Sequence, residues 1–417
     1  MVRSENRECV PTRSNGRWLS IVGIGENGRD GLCPAALRLI DEAVLVVGGA
    51  RHLSLVGNVR GQPVEWKSPF RDTVALIQEW AGQSVCVLAS GDPFWFGAGA
   101  ILAEYFPPSE MLVLPAPSTF SLAAARLGWP LQSALTFGLH AGRPEAVLRH
   151  LHNGQRILAL SLDGSTPAQV GELLCRYGFE DSEMHVMEAI GGPRESVQRV
   201  SPRDASAKAF NPLNLIAIEV KASGDARAIP FAPGLPDDYF EQDGQITKRE
   251  IRAMTVSALR PAPGEMLWDI GLGSGSVAIE WLLCHASMRA CGFEKNLERA
   301  ARAARNTVSL GVPHLEIVEG QAPEILKGLD APDAIFVGGG VSNSELMEAA
   351  WAALKPGGRI IANAVTLEGQ SALLKCRTNW GGSLTRINIE REHQAGNFTT
   401  WKPAMPVLQW VASKPWP

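Results

Sequence analysis

Residues 267–280 read Leu-Trp-Asp-Ile-Gly-Leu-Gly-Ser-Gly-Ser-Val-Ala-Ile-Glu, and no other stretch of the chain concentrates as much binding chemistry. Gly271, Gly273 and Gly275, with Leu272 and Ser274 between them, make a loop whose backbone a ligand can approach closely, because glycine has no side chain and tolerates positive φ. The first turn of a following helix offers unpaired N–H groups and a partial positive charge, which suit a carboxylate or a phosphate. Dinucleotides and S-adenosylmethionine both fit that description. A dinucleotide fingerprint runs Gly-x-Gly-x-x-Gly, whereas here Ser276 follows the third glycine and Asp269 precedes the loop, a pattern that favours the methyl donor. Glu294 closes a second apolar run, Arg289 to Phe293, roughly 20 residues beyond the loop, where a carboxylate can take both ribose hydroxyls.

These residues need a strand, a turn and a helix to position them. Met266, Leu267, Trp268 and Ile270 predict a short buried strand, and Val277, Ile279 and Trp281 return to helical spacing.

Two longer stretches carry a resemblance. Thr247-Lys-Arg-Glu-Ile-Arg-Ala-Met-Thr-Val-Ser-Ala-Leu-Arg-Pro, followed by the glycine loop, is similar to the C15-methyltransferase and decarboxylase domain of cobalamin biosynthesis. Asp333-Ala-Ile-Phe-Val-Gly-Gly-Gly resembles that family's fourth strand and Leu354-Lys-Pro-Gly-Gly-Arg-Ile-Ile-Ala-Asn-Ala-Val its fifth. The likeness implies a Rossmann-like class I methyltransferase domain. It places donor-binding residues at Thr247, Gly271, Leu272, Gly273, Ser274, Gly275, Glu294 and Ala322.

The first half contains other turns of interest. Trp18-Leu-Ser-Ile-Val-Gly-Ile-Gly-Glu-Asn-Gly predicts a strand running into Gly23, Gly25 and Gly28, which satisfy Gly-x-Gly-x-x-Gly. The next apolar run, Ala43 to Arg51, ends without the acidic residue that would bind a ribose, so a dinucleotide site is not expected. Further on, Ser84-Val-Cys-Val-Leu-Ala leads into Ser90-Gly-Asp-Pro, where Gly91 frees the turn, Pro93 removes a donor and Asp92 is held at a sharp strand end. That carboxylate either faces a cleft or bonds its own backbone in a turn. After Met111-Leu-Val-Leu-Pro, Ser118 or Thr119 is expected to cap an alanine-rich helix.

Gly91-Asp92-Pro93 and Pro115-Ala-Pro-Ser-Thr resemble the two turns that line the donor pocket of the tetrapyrrole (corrin/porphyrin) methylases, with Ala116 where that family usually has glycine. Thr136-Phe-Gly-Leu-His-Ala-Gly-Arg-Pro, Ser161-Leu-Asp-Gly-Ser-Thr-Pro and Glu188-Ala-Ile-Gly-Gly-Pro-Arg-Glu continue the match, the last toward the C5-methylating subfamily. The likeness implies a two-lobed fold with Gly91, Asp92, Pro93, Ser118 and Thr119 at the donor. His140 and Arg143 are candidate substrate contacts.

Composition sets the frame. A chain of 417 residues calls for two domains. The expected division of this α/β protein is a disordered leader (1–17), a tetrapyrrole methylase domain (18–221), a proline-rich linker (222–238) and a class I methyltransferase domain (239–417). No apolar run approaches the ~20 residues needed to span a bilayer, and residues 1–17 lack the apolar core of a secretory signal. Seven cysteines without paired spacing indicate neither a disulfide framework nor a zinc site, so a reducing cytoplasm and no metal are expected. A net charge of −4 and an isoelectric point near 6.1 argue against broad contact with nucleic acid.

Together the two likenesses imply a fused enzyme of aerobic cobalamin synthesis with two S-adenosylmethionine sites per chain. Such an enzyme methylates a precorrin at C5 and C15 and removes the ring C (C12) acetate carboxyl as carbon dioxide. The chain is expected to act as a homo-oligomer; no residue stands out as a general acid or base. The competing readings are an RNA methyltransferase, opposed by Phe336-Val-Gly-Gly-Gly where base-amino methylases carry Asn-Pro-Pro-Tyr, and a non-enzymatic tetrapyrrole carrier.

Overall fold

A computed structural model describes residues 16–139 and 143–417. Its contacts divide the chain into two compact units, one of residues up to Pro144 together with His152–Ala226, the other of Glu145–Leu151 together with Arg227–Pro417.

The first unit contains two sheets. Strands β1 (Leu19–Ile24), β2 (Leu45–Gly48), β3 (Gln62–Glu65), β4 (Val85–Ser90) and β5 (Met111–Leu114) pair in parallel in the order β3-β2-β4-β1-β5. β1, β2 and β4 are continuous apolar runs because helices cover both faces of such a sheet. Clusters around Ile21, Val47 and Val87 on one face and around Val22, Val46 and Leu88 on the other are the result. The helix Thr119–Leu127 then leads to the second sheet, and its Phe120, Ala123 and Ala124 pack on Leu158, Met187 and Leu215 of that sheet. β6 (Ala134–Gly138), β7 (Arg156–Leu160), β8 (Glu183–Glu188), β9 (Ser196–Val200) and β10 (Asn214–Glu219) form it in the mixed order β6-β7-β10-β8-β9. The unit is thus two-lobed.

In the second unit, β11 (Met266–Ile270), β12 (Arg289–Glu294), β13 (Glu316–Glu319), β14 (Ala334–Val337) and β15 (Arg359–Ala364) are parallel. β16 (Ser383–Ile387) and the last strand, Val407–Ser413, complete a seven-stranded sheet, with the last strand inserted antiparallel beside β15. The order 13-12-11-14-15-last-16 is Rossmann-like, reversing direction at β11, and ligands bind such sheets at the carboxyl edge of the reversal. Between β16 and the last strand, β17 (Glu390–Ala395) and β18 (Phe398–Pro403) pair only with each other in an exposed hairpin. Trp410 of the last strand is buried in the core, and the half-buried Trp351 and Trp380, stacked on each other, pack against it.

Two features differ from the expected domain limits. The reading of 18–221 as one continuous domain separates from the contact division at Glu145–Leu151, which clusters with the second unit; within it, Gly311 leaves room only for the backbone of Glu145 and Arg149. The proline-rich stretch 222–238 is anchored at both ends: Ser223 Oγ donates to the Gly178 carbonyl at 2.8 Å, and the Gly234 and Leu235 N–H groups donate to Glu280 at 2.7 and 2.8 Å. Of the expected leader, residues 1–15 lie outside the described residues, and Gly16 and Arg17 are exposed.

Candidate active sites

In the second unit the glycine loop joins β11 to the helix Ser276–Cys284. The Gly271 and Leu272 N–H groups both donate to the Phe293 carbonyl at 3.0 Å, which hangs the loop from the end of β12. Gly273 has φ +59, where a side chain is strained, and a Cβ there would meet nothing closer than the Gln245 carbonyl at 3.8 Å. Open space therefore lies above Gly273.

Glu294 stands beside this space. Its Oε2 accepts the Gly273 N–H and its Oε1 the Asn296 N–H, both at 2.9 Å, and the residue is buried. The expected ribose ligand is thus also a clamp on the loop. Asp269 Oδ2 accepts the Ala278 N–H at 3.0 Å, while Oδ1 is buried without a partner. Ser274 Oγ is likewise buried and unpartnered. Burial pushes the Asp269 carboxyl up to about 8, against the Ala278 bond and with the help of the Glu294 charge. Orphaned buried polar atoms are costly, and one beside and one within a glycine loop suit a ligand with ammonium, carboxylate and hydroxyl groups. The residues present fit S-adenosylmethionine.

Ala322 is half-buried in the loop leaving β13, so β11, β12 and β13 bring the glycine loop, Glu294 and Ala322 to one edge of the parallel sheet. Thr247 lies in a separate segment, just before the helix Arg249–Leu259 and two residues beyond Gln245, whose carbonyl faces Gly273. The Thr247 carbonyl accepts Arg252 Nη1 at 2.5 Å. Fully buried Arg252 also donates from Nε to Glu280 at 2.5 Å, from Nη1 to Asp237 at 3.1 Å and from Nη2 to the Leu235 carbonyl, and it lies over the Phe240 ring. The helix Leu297–Ser309 holds the same strap: Arg299 donates to Asp243 and Gln245, Arg302 pairs with Asp243, and Asn306 donates to the Glu241 and Ser274 carbonyls. The Gln245 N–H and the Arg302 guanidinium pull the Asp243 carboxyl down to about 2.

Sequence reasoning missed Arg252, Glu280 and Asn306. One signal was available: Glu280 interrupts the otherwise apolar Val277-Ala-Ile-Glu-Trp-Leu-Leu, and a charge there must be paired.

In the first unit the two expected turns meet. The Ala116 N–H donates to the Gly91 carbonyl at 3.1 Å, and the Gly91 N–H donates to Ile24 at 3.0 Å. A Cβ on Gly91 would lie 3.1 Å from Ser118 Cα, and one on Gly23 would collide with the Gly91 carbonyl. Gly23 is thus a packing glycine between strand ends, which gives the Gly-x-Gly-x-x-Gly pattern a cause other than a dinucleotide. Ser118 is the helix cap, its Oγ accepting the Ser121 N–H at 3.1 Å, with Thr119 opening the helix behind it. Asp92 Oδ1 accepts the Phe94 N–H at 2.9 Å, so the turn bond that sequence offered as the alternative to a cleft-facing carboxylate is present. Pro93 is buried beneath the turn, and Phe94, Trp95 and Phe96 stand half-exposed beyond it. His140 lies outside the described residues; Arg143 is exposed.

Among the described residues no group of three or more histidine, cysteine and acidic side chains is arranged to hold a metal ion, and no helix is long and apolar enough to cross a membrane.

Residues 19–205 match the family Tetrapyrrole (Corrin/Porphyrin) Methylases, and residues 238–414 match the Precorrin methyltransferase domain. The chain is 51% identical over 399 residues to a precorrin-6Y C5,15-methyltransferase (decarboxylating) of Sinorhizobium sp, across 95% of this chain and 96% of the relative. Identity to the protein of the same name from Mycobacterium tuberculosis (strain CDC 1551 / Oshkosh) is 36% over 400 residues, across 94% of this chain and 99% of the relative. The solved C-terminal domain of precorrin-6Y C5,15-methyltransferase from Rhodobacter capsulatus is 41% identical, covers 45% of this chain and 100% of that domain, and has a TM-score of 0.43.

Proposed function

The chain belongs to the family of decarboxylating precorrin-6Y C5,15-methyltransferases, and from that premise we propose how its two units divide the work. It is a methyltransferase of cobalamin biosynthesis, and its family uses S-adenosylmethionine. On our reading the first unit methylates C5. The second methylates C15 and releases carbon dioxide from the ring C (C12) acetate, and each unit has its own donor site. The observation that carries the reading is that each unit has a separate turn constellation at the carboxyl edge of its own parallel sheet.

S-adenosylmethionine supplies an already activated methyl group, so alignment provides much of the rate. In the second unit Thr247, the loop Gly271–Gly275, Glu294 and Ala322 would hold it, with Glu294 accepting from the ribose on lone pairs that its two backbone bonds leave unused. In the first unit Gly91, Asp92, Pro93, Ser118 and Thr119 would do so. Methylation at C15 leaves the adjoining ring of the substrate as a conjugated iminium, which accepts the electron pair released as the acetate loses carbon dioxide. The protein keeps that acetate away from water and from a cation that would stabilise it. Arg143 and His140 remain candidates for the carboxylates of the precorrin, since arginine pairs with carboxylates in bidentate fashion.

We also propose a homo-oligomer in the cytoplasm. Free thiols at the described cysteines fit that compartment, and the exposed hairpin with Phe398 and Trp401 offers an apolar surface for self-association. Sedimentation at micromolar concentration tests the second point, a monomer refuting it.

Calorimetric titration with S-adenosylhomocysteine should show two equivalents per chain, whereas one equivalent refutes the two-site reading. Mass spectrometry of a precorrin incubated with labelled donor should show a gain of two methyl groups and loss of one carbon dioxide.

A further inference from the structure

β17 and β18 pair only with each other, and every residue of both strands is exposed. An isolated two-stranded ribbon is marginally stable in water, so its place and its two faces call for a cause. The register fixes the place. Ile387, the end of β16, opposes Val407, the start of the last strand, and Leu408 opposes Ala364, the carboxyl end of β15. The hairpin therefore leaves the sheet at the same edge as the glycine loop after β11 and Glu294 at the end of β12. Its root is held by the cluster of Ile251, Ile387 and Val407, with Ile389 packed against it. The last strand stands three places from β11, about 14 Å at the usual strand spacing, and a ribbon of six-residue strands, roughly 20 Å long, is long enough to span that interval.

Directly opposed residues of an antiparallel pair share a face. One face of the hairpin carries Glu390 opposite Pro403 and Glu392 opposite Trp401; the other carries Arg391 opposite Lys402, His393 opposite Thr400 and, at the tip, Ala395 opposite Phe398. The carboxylates are sorted to one side and the basic residues to the other. Arg391 shows which way the basic side faces, because its Nη2 donates to Glu250, in the first turn of the helix Arg249–Leu259 and three residues beyond Thr247. Like charges placed directly opposite each other repel, and Glu250 offsets only one of the two. The side chains of Lys402 and His393 have no hydrogen-bond or ion-pair partner among the described residues. Exposed charges are ordinary; their sorting onto the face that adjoins the segment bearing Thr247 is not. A ligand that matches this face is anionic at more than one point. A precorrin, a ring bordered by acetate and propionate carboxylates, is such a ligand, and Lys402 can take a carboxylate by a charge-assisted hydrogen bond and His393 by its imidazole N–H.

We propose that the basic face of the hairpin, through Lys402 and His393, binds carboxylates of the precorrin on which the second unit acts. The inference rests on the reading of that unit as the C15-methylating and decarboxylating one. The carboxylates held are those other than the ring C acetate, which has to stay clear of a cation in order to be lost. Trp401, on the other face, is left for self-association.

Lys402→Glu in the full chain tests this, with Glu392→Gln on the opposite face as control. In Lys402→Glu the KM for precorrin in carbon dioxide release rises roughly tenfold or more, as for a lost hydrogen bond to a charged group. The kcat at saturating precorrin and both S-adenosylhomocysteine equivalents keep their wild-type values, the pattern of lost binding common to ground and transition states. His393→Ala raises the same KM by a smaller factor, while Lys402→Arg, which retains the cation, and Glu392→Gln leave it unchanged. A Lys402→Glu protein that melts as wild type with an unchanged KM overturns the proposal. So does an equal rise in Glu392→Gln, or a KM that rises only in step with dissociation seen by sedimentation, since the face then serves a second copy of the chain. Failure of the underlying reading is distinguishable because it shows in the wild type, as no carbon dioxide released from a precorrin.

Discussion

Glu294 accepts the Gly273 N–H at 2.9 Å, so the carboxylate proposed for the ribose also fixes the loop proposed to receive the donor. Its second oxygen holds Asn296. Truncation to alanine therefore removes two loop-holding bonds as well as the proposed ligand contact. Glu294→Ala is expected to destabilise the second unit by about 1–3 kcal/mol, the worth of the hydrogen bonds to a charged acceptor that it removes. It should also abolish C15 methylation and carbon dioxide release together. Glu294→Gln, which keeps one acceptor oxygen, should melt between the two. Calorimetric melting with product mass spectrometry checks both, and an alanine variant that melts as wild type would falsify the clamp.

The two activities should separate. Gly273→Arg puts a long side chain into the open space above the loop at φ +59, with a backbone cost of roughly 1–2 kcal/mol. It should stop C15 methylation and carbon dioxide release. Asp92→Ala should lower C5 methylation and spare carbon dioxide release. Once melting has shown both variants folded, product analysis decides, and loss of carbon dioxide release in Asp92→Ala would mean that the reactions are not divided between the units.

Arg252 and Glu280 form a fully buried pair whose removal leaves a charge without compensation. Arg252→Met should destabilise the second unit by about 3–5 kcal/mol. The strap bearing Thr247 should loosen with it, weakening S-adenosylhomocysteine binding there. Denaturant titration and calorimetry read the two effects, and wild-type stability would show that the pair is dispensable.

Asp269 should make the stability of the ligand-free second unit depend on pH. Its folded value, about 8, lies above the ordinary 3.8, so the folded state binds the proton more tightly. The contribution is fully present below about pH 4, is lost progressively as pH rises toward about 8, and is constant beyond. Asp269→Asn, which keeps an acceptor for the Ala278 N–H, should flatten that slope. Denaturant midpoints measured across this range test it, and an equal slope in both proteins would place the titration elsewhere.

Sequence by itself determined the elements whose cause is local. Gly271, Gly273 and Gly275 between an apolar run and a helical one specify a strand, a turn and a helix wherever the chain goes, and Ser118 caps its helix through a bond three residues long. Only the tertiary structure decided which of these glycines border open space and which make room for a neighbouring segment. Gly23 carries the same fingerprint as a binding loop, yet its missing side chain makes room for Gly91, some seventy positions away, a distinction visible only once β1 and β4 are paired. The Arg252–Glu280 pair and the orphaned Asp269 oxygen are likewise long-range. The physical reason is common to all of them. Burial and hydrogen-bond partnership are properties of the space around a side chain, and that space is built by segments with no fixed spacing in sequence.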